Sequence, residues 1–185
     1  MNTDKFRVYL RAFEPEDYTL TIKWRNDEGI TKALAGNRFF VSQAKEKKWV
    51  EEKSINNVDY IYLAICLRED GKMIGYTSIN SIDCRNLKAE WGGTIIGEKD
   101  FWGKGYATEA AMLMLEYLFE QYPMHKCYGY CLEEHQVTEK MLLSLGFTKE
   151  GFVRDDVFKD GEFKSKLLFS ILRDEYLTRY KKDIQ

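Results

Sequence analysis

The sequence predicts an α+β fold, a mixed and mostly antiparallel sheet of about seven strands flanked by helices. Three observations carry that expectation. Two tight-turn signals, Glu69-Asp70-Gly71-Lys72 and Asp160-Gly161, each join a pair of alternating apolar runs. A glycine-punctuated stretch, Gly103-Lys104-Gly105, joins an apolar strand to the longest helix-periodic run, Tyr106 to Tyr122. No internal repeat, low-complexity tract or linker divides the 185 residues, so one domain spanning 1–185 is expected.

Arg7 to Phe13 alternates and reads as the first strand. Pro15, followed by Glu16 and Asp17, suits a helix start, and Tyr18, Ile22 and Trp24-Arg25 carry the helix onward. Gly29 and Gly36 break the next region into a loop or a short second helix. Ser42 is placed to cap a helix running to about Asn57. Tyr60 to Leu67 and Met73 to Ile82 are the strands of the first hairpin. Lys88 to Ile96 is another strand, and Gly92-Gly93 at its middle marks a bulge or a close approach by another group. The long helix stops near Pro123. Lys126 to Leu132 is then a strand, and Gln136 to Leu145 a helix ended by Gly146. Phe147 to Phe158 and Glu162 to Ile171 form the second hairpin, before a C-terminal helix.

The 28 basic and 30 acidic side chains nearly cancel, leaving a formal charge of −2. That balance argues against nucleic acid or an anionic membrane as partner, because either needs a concentrated basic face. Cys66, Cys84, Cys127 and Cys131 form no Cys-x-x-Cys pair. Cys127 and Cys131, four apart on a strand, lie about 13 Å from each other, too far for a disulfide or a shared metal ion. No metal site is expected. The first residues, Met-Asn-Thr-Asp-Lys, contain no apolar run, and no window approaches the roughly 18 apolar residues of a membrane span. A cytoplasmic protein with reduced thiols is the expectation.

A helix start built on Gly-Lys-Gly offers unpaired backbone N–H groups, little side-chain obstruction and a positive dipole end, the requirements for holding a phosphate. Two phosphate-binding patterns fail on spacing. A Walker loop needs Lys-Ser/Thr after its last glycine, whereas Lys104 is followed by Gly105. A dinucleotide fingerprint needs a small third residue where Thr108 stands, and a βαβ unit near the start of the fold.

Gly103-Lys104-Gly105-Tyr106-Ala107-Thr108-Glu109-Ala110 on a strand–turn–helix resembles the acetyl-CoA loop of the GNAT superfamily of N-acetyltransferases. His135 to Phe147, ending in Leu145-Gly146-Phe147, is similar to that superfamily's second cofactor helix, and the element order fits over nearly the whole chain. Within the superfamily the chain looks most like the RimJ/RimL branch. Trp24-Arg25-Asn26-Asp27 also resembles enzymes that acetylate amino groups of nucleotide-linked sugars.

The resemblance implies acetyl-CoA as co-substrate and transfer by direct attack of an amine in a ternary complex. It implies cofactor contacts from Thr94, Ile95, Ile96 and Gly97 on the strand, and from Trp102, Gly103, Lys104 and Gly105 on the turn. Tyr106, Ala107 and Thr108 on the helix and His135 complete that set. Three positions depart from the usual pattern. Asp100 replaces a Gln or Arg before the loop and is expected to face solvent or cap the helix, leaving Lys104 and backbone amides to hold the pyrophosphate. His135 replaces an Asn, and an imidazole can also donate one hydrogen bond. Leu142 replaces the Tyr that usually protonates the departing thiolate.

A bulge at Gly92-Gly93 would free amides near Thr94 to Ile96, one of which can donate to the thioester oxygen. Glu90 is the candidate base, its pKa open to elevation beside Trp91, although the bulge leaves its face undetermined. Thr138 is the candidate acid by its place in the resemblance, with His135 as an alternative proton relay. Trp24, Arg25 and Asn26 are candidates for the acceptor side, with Arg25 able to pair with a phosphate or carboxylate. Phe39-Phe40 is a candidate lid or anchoring pair. Three functional readings stay open. The acceptor is the primary amine of a small molecule or amino sugar, or it is a peptide N-terminus, or the chain binds CoA without turnover. A homodimer through the edge of the final strand is a further expectation.

Overall fold

The computed structural model describes residues 5–32, 34, 36, 40–55 and 58–181. Strand β1 (Val8–Ala12) leads through a 3-10 turn (Pro15–Asp17) to helix α1 (Tyr18–Asn26), the short α2 (Glu28–Lys32) and α3 (Gln43–Ile55). The long β2 (Ile61–Leu67), β3 (Met73–Asp83) and β4 (Lys88–Ile96) follow, then α4 (Tyr106–Gln121), β5 (Lys126–Leu132) and α5 (Gln136–Ser144). The hairpin β6 (Thr148–Lys159) and β7 (Glu162–Leu172) precedes α6 (Arg173–Tyr180).

The helix expected from Pro15 is split because Asp17 is recruited elsewhere. Its buried carboxylate takes two bonds from the Arg11 guanidinium, at 2.7 and 2.8 Å, and a third from the Glu14 amide at 2.9 Å. That anchor ends the tight turn and fixes where α1 leaves the sheet. The Ser42 hydroxyl accepts from the Lys45 amide at 3.3 Å and opens α3 as expected. Asn57, where that helix was expected to end, lies outside the described residues.

Seven strands form one sheet in the order β1-β2-β3-β4-β5-β7-β6. Every neighbouring pair is antiparallel except β4 with β5. That parallel ladder is short: Lys88, Ala89 and Glu90 pair with Lys126, Cys127 and Tyr128, and no pairing follows. Beyond Glu90 the two strands part, so the sheet is forked at its centre. Each arm feeds a helix from its C-terminal end, α4 from β4 and α5 from β5.

The main core lies on the α4 face. Met114, Leu115, Leu118 and Phe119 of α4 meet Ile79 and Trp91 of the sheet, together with Leu142 of α5 and Tyr176 of α6. Burial of each such large side chain contributes about 1.5–3 kcal/mol. A second cluster, including Phe13, Trp24, Val50 and Tyr76, seats α1 and α3 against the other face of β2 and β3. Cys66, Cys127 and Cys131 are buried as free thiols, and Cys84 is an exposed one.

Candidate active site

The site is assembled around the bulge in β4. Ser78 pairs with Gly93 and Ile79 with Trp91, so Gly92 is the extra residue. Only glycine fits there, since a Cβ would stand 2.3 Å from the Ser78 hydroxyl and 2.2 Å from the Asn80 amide. Gly93, at φ +102, supplies the left-handed conformation that the bulge requires.

The bulge fixes which way each following residue faces. The Gly97 amide donates to the Ile74 carbonyl at 2.8 Å, which turns the amides of Gly97 and Ile95 toward β3. By strand alternation the main-chain groups of Thr94 and Ile96 point into the fork, where β5 no longer pairs with them. The indole N–H of Trp102 takes the Ile96 carbonyl at 2.7 Å, folding the next turn back over the strand. The structure places the four strand residues expected to contact the cofactor differently. Thr94 and Ile96 present backbone to the fork, Ile95 directs its side chain to the opposite face, and the Gly97 amide is spent. Gly97 serves differently: a Cβ there would lie 2.0 Å from the Trp24 ring, which rests directly on its Cα.

At the mouth of the fork, Gly103 and Gly105 adopt φ of +70° and +88°, and Gly105 is the N-cap of α4. The amides of Tyr106, Ala107 and Thr108 in the first turn have no intrahelical acceptors and lie at the positive end of the helix dipole. Nothing lies within 4 Å of where a Gly103 side chain would start. Lys104 is exposed beside these amides, and Asp100 is exposed as expected. These features fit a pyrophosphate-bearing, extended ligand laid along β4. Sequence reasoning missed Arg7, which braces the turn from β1. Its guanidinium donates to the Lys104 carbonyl at 2.7 Å and to Glu109 at 2.7 Å, and lies 4.1 Å from the Tyr106 ring centre. No local signal could mark a partner 97 residues away in sequence.

On the other arm, the Thr138 hydroxyl lies 2.7 Å from His135 Nδ1. Burial, and then the nearby Lys159 charge, hold the imidazole below its usual pKa. The two residues proposed separately for acid and relay are thus one hydrogen-bonded pair. The direction of the bond decides its chemistry. Thr138 can donate into the fork only while His135 Nδ1 carries the hydrogen between them. Leu142 is fully buried in the main core, so the position of the usual Tyr offers no acid.

Glu90 is the last β4 residue paired with β5, at the vertex of the fork. Ala89 and Trp91 face the main core, so Glu90 faces the opposite side with its cross-strand partner Asn80. This settles its face and corrects one expectation: Trp91 does not wall the carboxylate, because neighbours on a strand point oppositely. Glu90 is half-buried and accepts from the Ser81 hydroxyl at 3.4 Å.

The same face carries a cavity of about 260 Å³ between the sheet and α1–α3. Its walls include Trp24, Arg25, Trp49, Tyr62, Tyr76 and the bulge residue Gly92. Burial pushes the Tyr62 hydroxyl above its ordinary pKa, while bonds to Ser78 and Asn80 pull it back. Burial raises Tyr76 further. The tyrosines were missed, although Tyr60/Tyr62 and Tyr76/Ser78/Asn80 stand at the alternate spacing that places side chains on one strand face.

The three α1 candidates have different fates. Trp24 lines the cavity but is only 3% exposed, with its N–H on Glu98 at 3.2 Å, so it acts as a wall. Arg25 lines the cavity with a partly open side chain. Asn26 does not reach it. Its amide is consumed by the Ile22 and Val41 carbonyls and the Val41 amide, at 2.9–3.0 Å, and ties α1 to the segment before α3. Phe40 is highly exposed, and Phe39 lies outside the described residues. Among the described residues no cluster of His, Cys, Asp and Glu could hold a metal ion.

A forked mixed sheet, a glycine-capped helix at the fork's mouth and a cavity across the bulge fit an acyl-CoA-dependent transferase. Residues 7–148 match the family model described as "Acetyltransferase (GNAT) domain", and the chain belongs to that family. It is an acetyl-CoA-dependent N-acetyltransferase. Among its relatives is an uncharacterized N-acetyltransferase, p20, of Bacillus licheniformis, 30% identical over 172 residues, covering 92% of this chain and 95% of that one. The spermidine N(1)-acetyltransferase of Escherichia coli strain K12 is 29% identical over 112 residues, covering 60% of this chain and 59% of that one. In fold, the chain is similar to the spermidine N-acetyltransferase of Vibrio cholerae solved with CoA and spermine. The TM-score is 0.84 at 22% identity, over 92% of this chain and 98% of that one. No helix among the described residues is long and apolar enough to cross a membrane.

Proposed function

We propose that the acceptor is the primary amine of a small molecule, held in the cavity under α1–α3 and attacking across the Gly92 bulge. The cavity itself carries this reading. At about 260 Å³ it lies below the roughly 300–1,000 Å³ typical of pockets for drug-sized ligands, and its aromatic walls suit a compact organic body. The spermidine N(1)-acetyltransferase among the relatives also acts on a small amine. Amino sugars and peptide N-termini are the competing acceptors, and each would have to reach the same bulge.

Bound acetyl-CoA supplies the activated acetyl group as a thioester. In this reading Thr94 orients the pantetheine arm by main-chain pairing, and Lys104 and the first-turn amides of α4 hold the pyrophosphate. The Ile96 N–H, whose own carbonyl is held by Trp102, faces the reacting carbonyl oxygen. Glu90, through water, takes the proton that the amine sheds. Thr138 donates toward the leaving sulfur and is resupplied by His135 Nδ1–H. A thiol has a pKa near 8.5, so a hydrogen bond from a hydroxyl is sufficient assistance.

The remaining expectations stand on narrower support. One domain carries the whole site. A cytoplasmic setting agrees with three buried free thiols and with acetyl-CoA as co-substrate. The final strand, β7, pairs with β5 on one side and β6 on the other and offers no edge, which corrects the expectation of a homodimer through it. A homodimer would instead use β6, supported by its place at the sheet edge and by the exposed Phe152, Phe158 and Phe163 on the last hairpin. Light scattering tests that last point. The acceptor is tested by thiol release from acetyl-CoA with panels of small amines, amino sugars and peptides. Release with small amines is expected, and turnover confined to peptides would replace this reading with the N-terminal one.

A further inference from the structure

Arg25 is the one charged side chain among the described residues lining the acceptor cavity. Two contacts fix it: its Nη1 donates to Glu46 Oε2 at 2.9 Å, and its guanidinium lies 4.3 Å from the Trp49 ring centre. Glu46 is fully buried, and its second oxygen, Oε1, has no hydrogen-bond partner. A carboxylate buried on one side of a guanidinium orients the group without covering it. Of the five N–H donors of an arginine, this pair uses one, and the side chain keeps a quarter of its surface open while lining the cavity.

A second cation reinforces the same end. The Lys53 ammonium lies 3.3 Å from the Tyr60 ring centre and 4.9 Å from that of Tyr62, itself a cavity wall. Glu90 lies on this face of β4, two residues before Gly92, the cavity's other boundary. The cavity is therefore polarised in its donors: under α1 and α3 it presents the N–H groups of Arg25, whose charge Glu46 offsets in part, with Lys53 nearby, while Glu90 stands at the vertex of the fork. A substrate lying along it with its amine at the bulge would place its far end on Arg25.

We propose that the acceptor is a short dipolar amine, with a primary amine at one end and an anionic oxyacid group, carboxylate or phosphate, at the other, read by Arg25. This rests on the small-amine reading of the same cavity. A planar guanidinium held by stacking presents parallel N–H groups that match an oxyacid bidentately, whereas a polyamine would bring a second ammonium onto it. The specificity of this chain thus differs in sign from what its spermidine-acetylating relatives bind.

The test is thiol release with matched acceptors: ω-amino carboxylates, aminoalkyl phosphates, the neutral amides of the same amino acids, and spermidine. The expected result is a kcat/KM for anionic amines about ten- to one-hundred-fold above their amides, carried mainly by KM. The two anionic series show which oxyacid fits. In the double variant Arg25→Gln/Glu46→Gln, which leaves no unpaired buried charge, that preference should vanish. Amides or spermidine equal to the anionic amines would overturn the proposal while leaving small-amine acetylation intact. A preference that survives in the double variant would remove Arg25 from the role, and silence with every small amine would end both readings. If the double variant does not fold, competition against the amine decides instead. Alkyl carboxylates should compete with the acceptor and their amides should not, and equal inhibition by both sinks the idea.

Discussion

In the proposed reading the two sides of the fork recognise their ligands by different means. The cofactor side is built from main chain: the fork-facing groups of Thr94 and Ile96, the first-turn amides of α4, and glycines at positions 93, 103 and 105 whose left-handed φ shapes the path. The acceptor side is built from side chains, with Arg25 and Trp49 from two helices meeting Tyr62 and Tyr76 from two strands. Main-chain recognition depends on geometry and tolerates many side chains. Side-chain recognition can be rewritten residue by residue. A family that keeps one donor and changes its acceptor would be expected to divide the work in this way.

The sharpest way to break that division is at its boundary. Glu90→Gln should lower kcat by about 10²–10⁴-fold and leave the KM for acetyl-CoA near its starting value, as measured by steady-state kinetics. A variant with the original kcat would move the base elsewhere. Gly97→Ala tests whether the two sides share one wall. A Cβ at 2.0 Å must push Trp24 off the strand, so a loss of about 1–3 kcal/mol in denaturant unfolding is expected, with a higher acceptor KM. Unchanged stability would mean that Trp24 is free to move.

Smaller effects separate the two kinds of recognition. Lys104→Ala removes a charge but no backbone donor, so the KM for acetyl-CoA should rise only about two- to tenfold, with acceptor KM unmoved. A loss far above that range would show side chains dominating the cofactor side after all. The His135–Thr138 pair should give the mildest signal. The folded protein holds His135 below its ordinary 6.5, and the unfolded chain titrates near that value. The stability this group contributes is therefore complete above about pH 6.5 and is lost as pH falls through the lower folded value. An NMR titration should place the His135 midpoint below 6.5, and a midpoint above it would contradict burial as the controlling influence.

The legibility of each half follows from its chemistry. Gly92-Gly93 and Gly103-Lys104-Gly105 could be read because backbone geometry writes itself locally as glycine, and both the bulge and the helix cap stand where those residues announce them. Element boundaries agreed closely wherever periodicity was strong, as along α4 and β5. The split after Pro15 was not legible, because it depends on Arg11 reaching Asp17 across the turn. Asn26 looked like a site residue for its neighbours' sake, yet its amide is committed to Val41, fifteen residues on. Arg7 carried no signal at all, since its partners, Lys104 and Glu109, lie 97 and 102 residues further along the chain.

By itself the sequence determined the strand and helix order and the glycine turn that opens α4, and through them the acetyl-CoA-dependent family to which the chain belongs. Local conformation is encoded in nearby residues, and a cofactor held by main chain is therefore visible in one dimension. Tertiary structure alone decided the face of Glu90, the pairing of Thr138 with His135, the retirement of Asn26 and Gly97 to structural tasks, and the polarised cavity around Arg25. Each of these depends on a bulge that shifts parity or on contacts between residues far apart in the chain, and neither distance nor direction in space is written in local pattern.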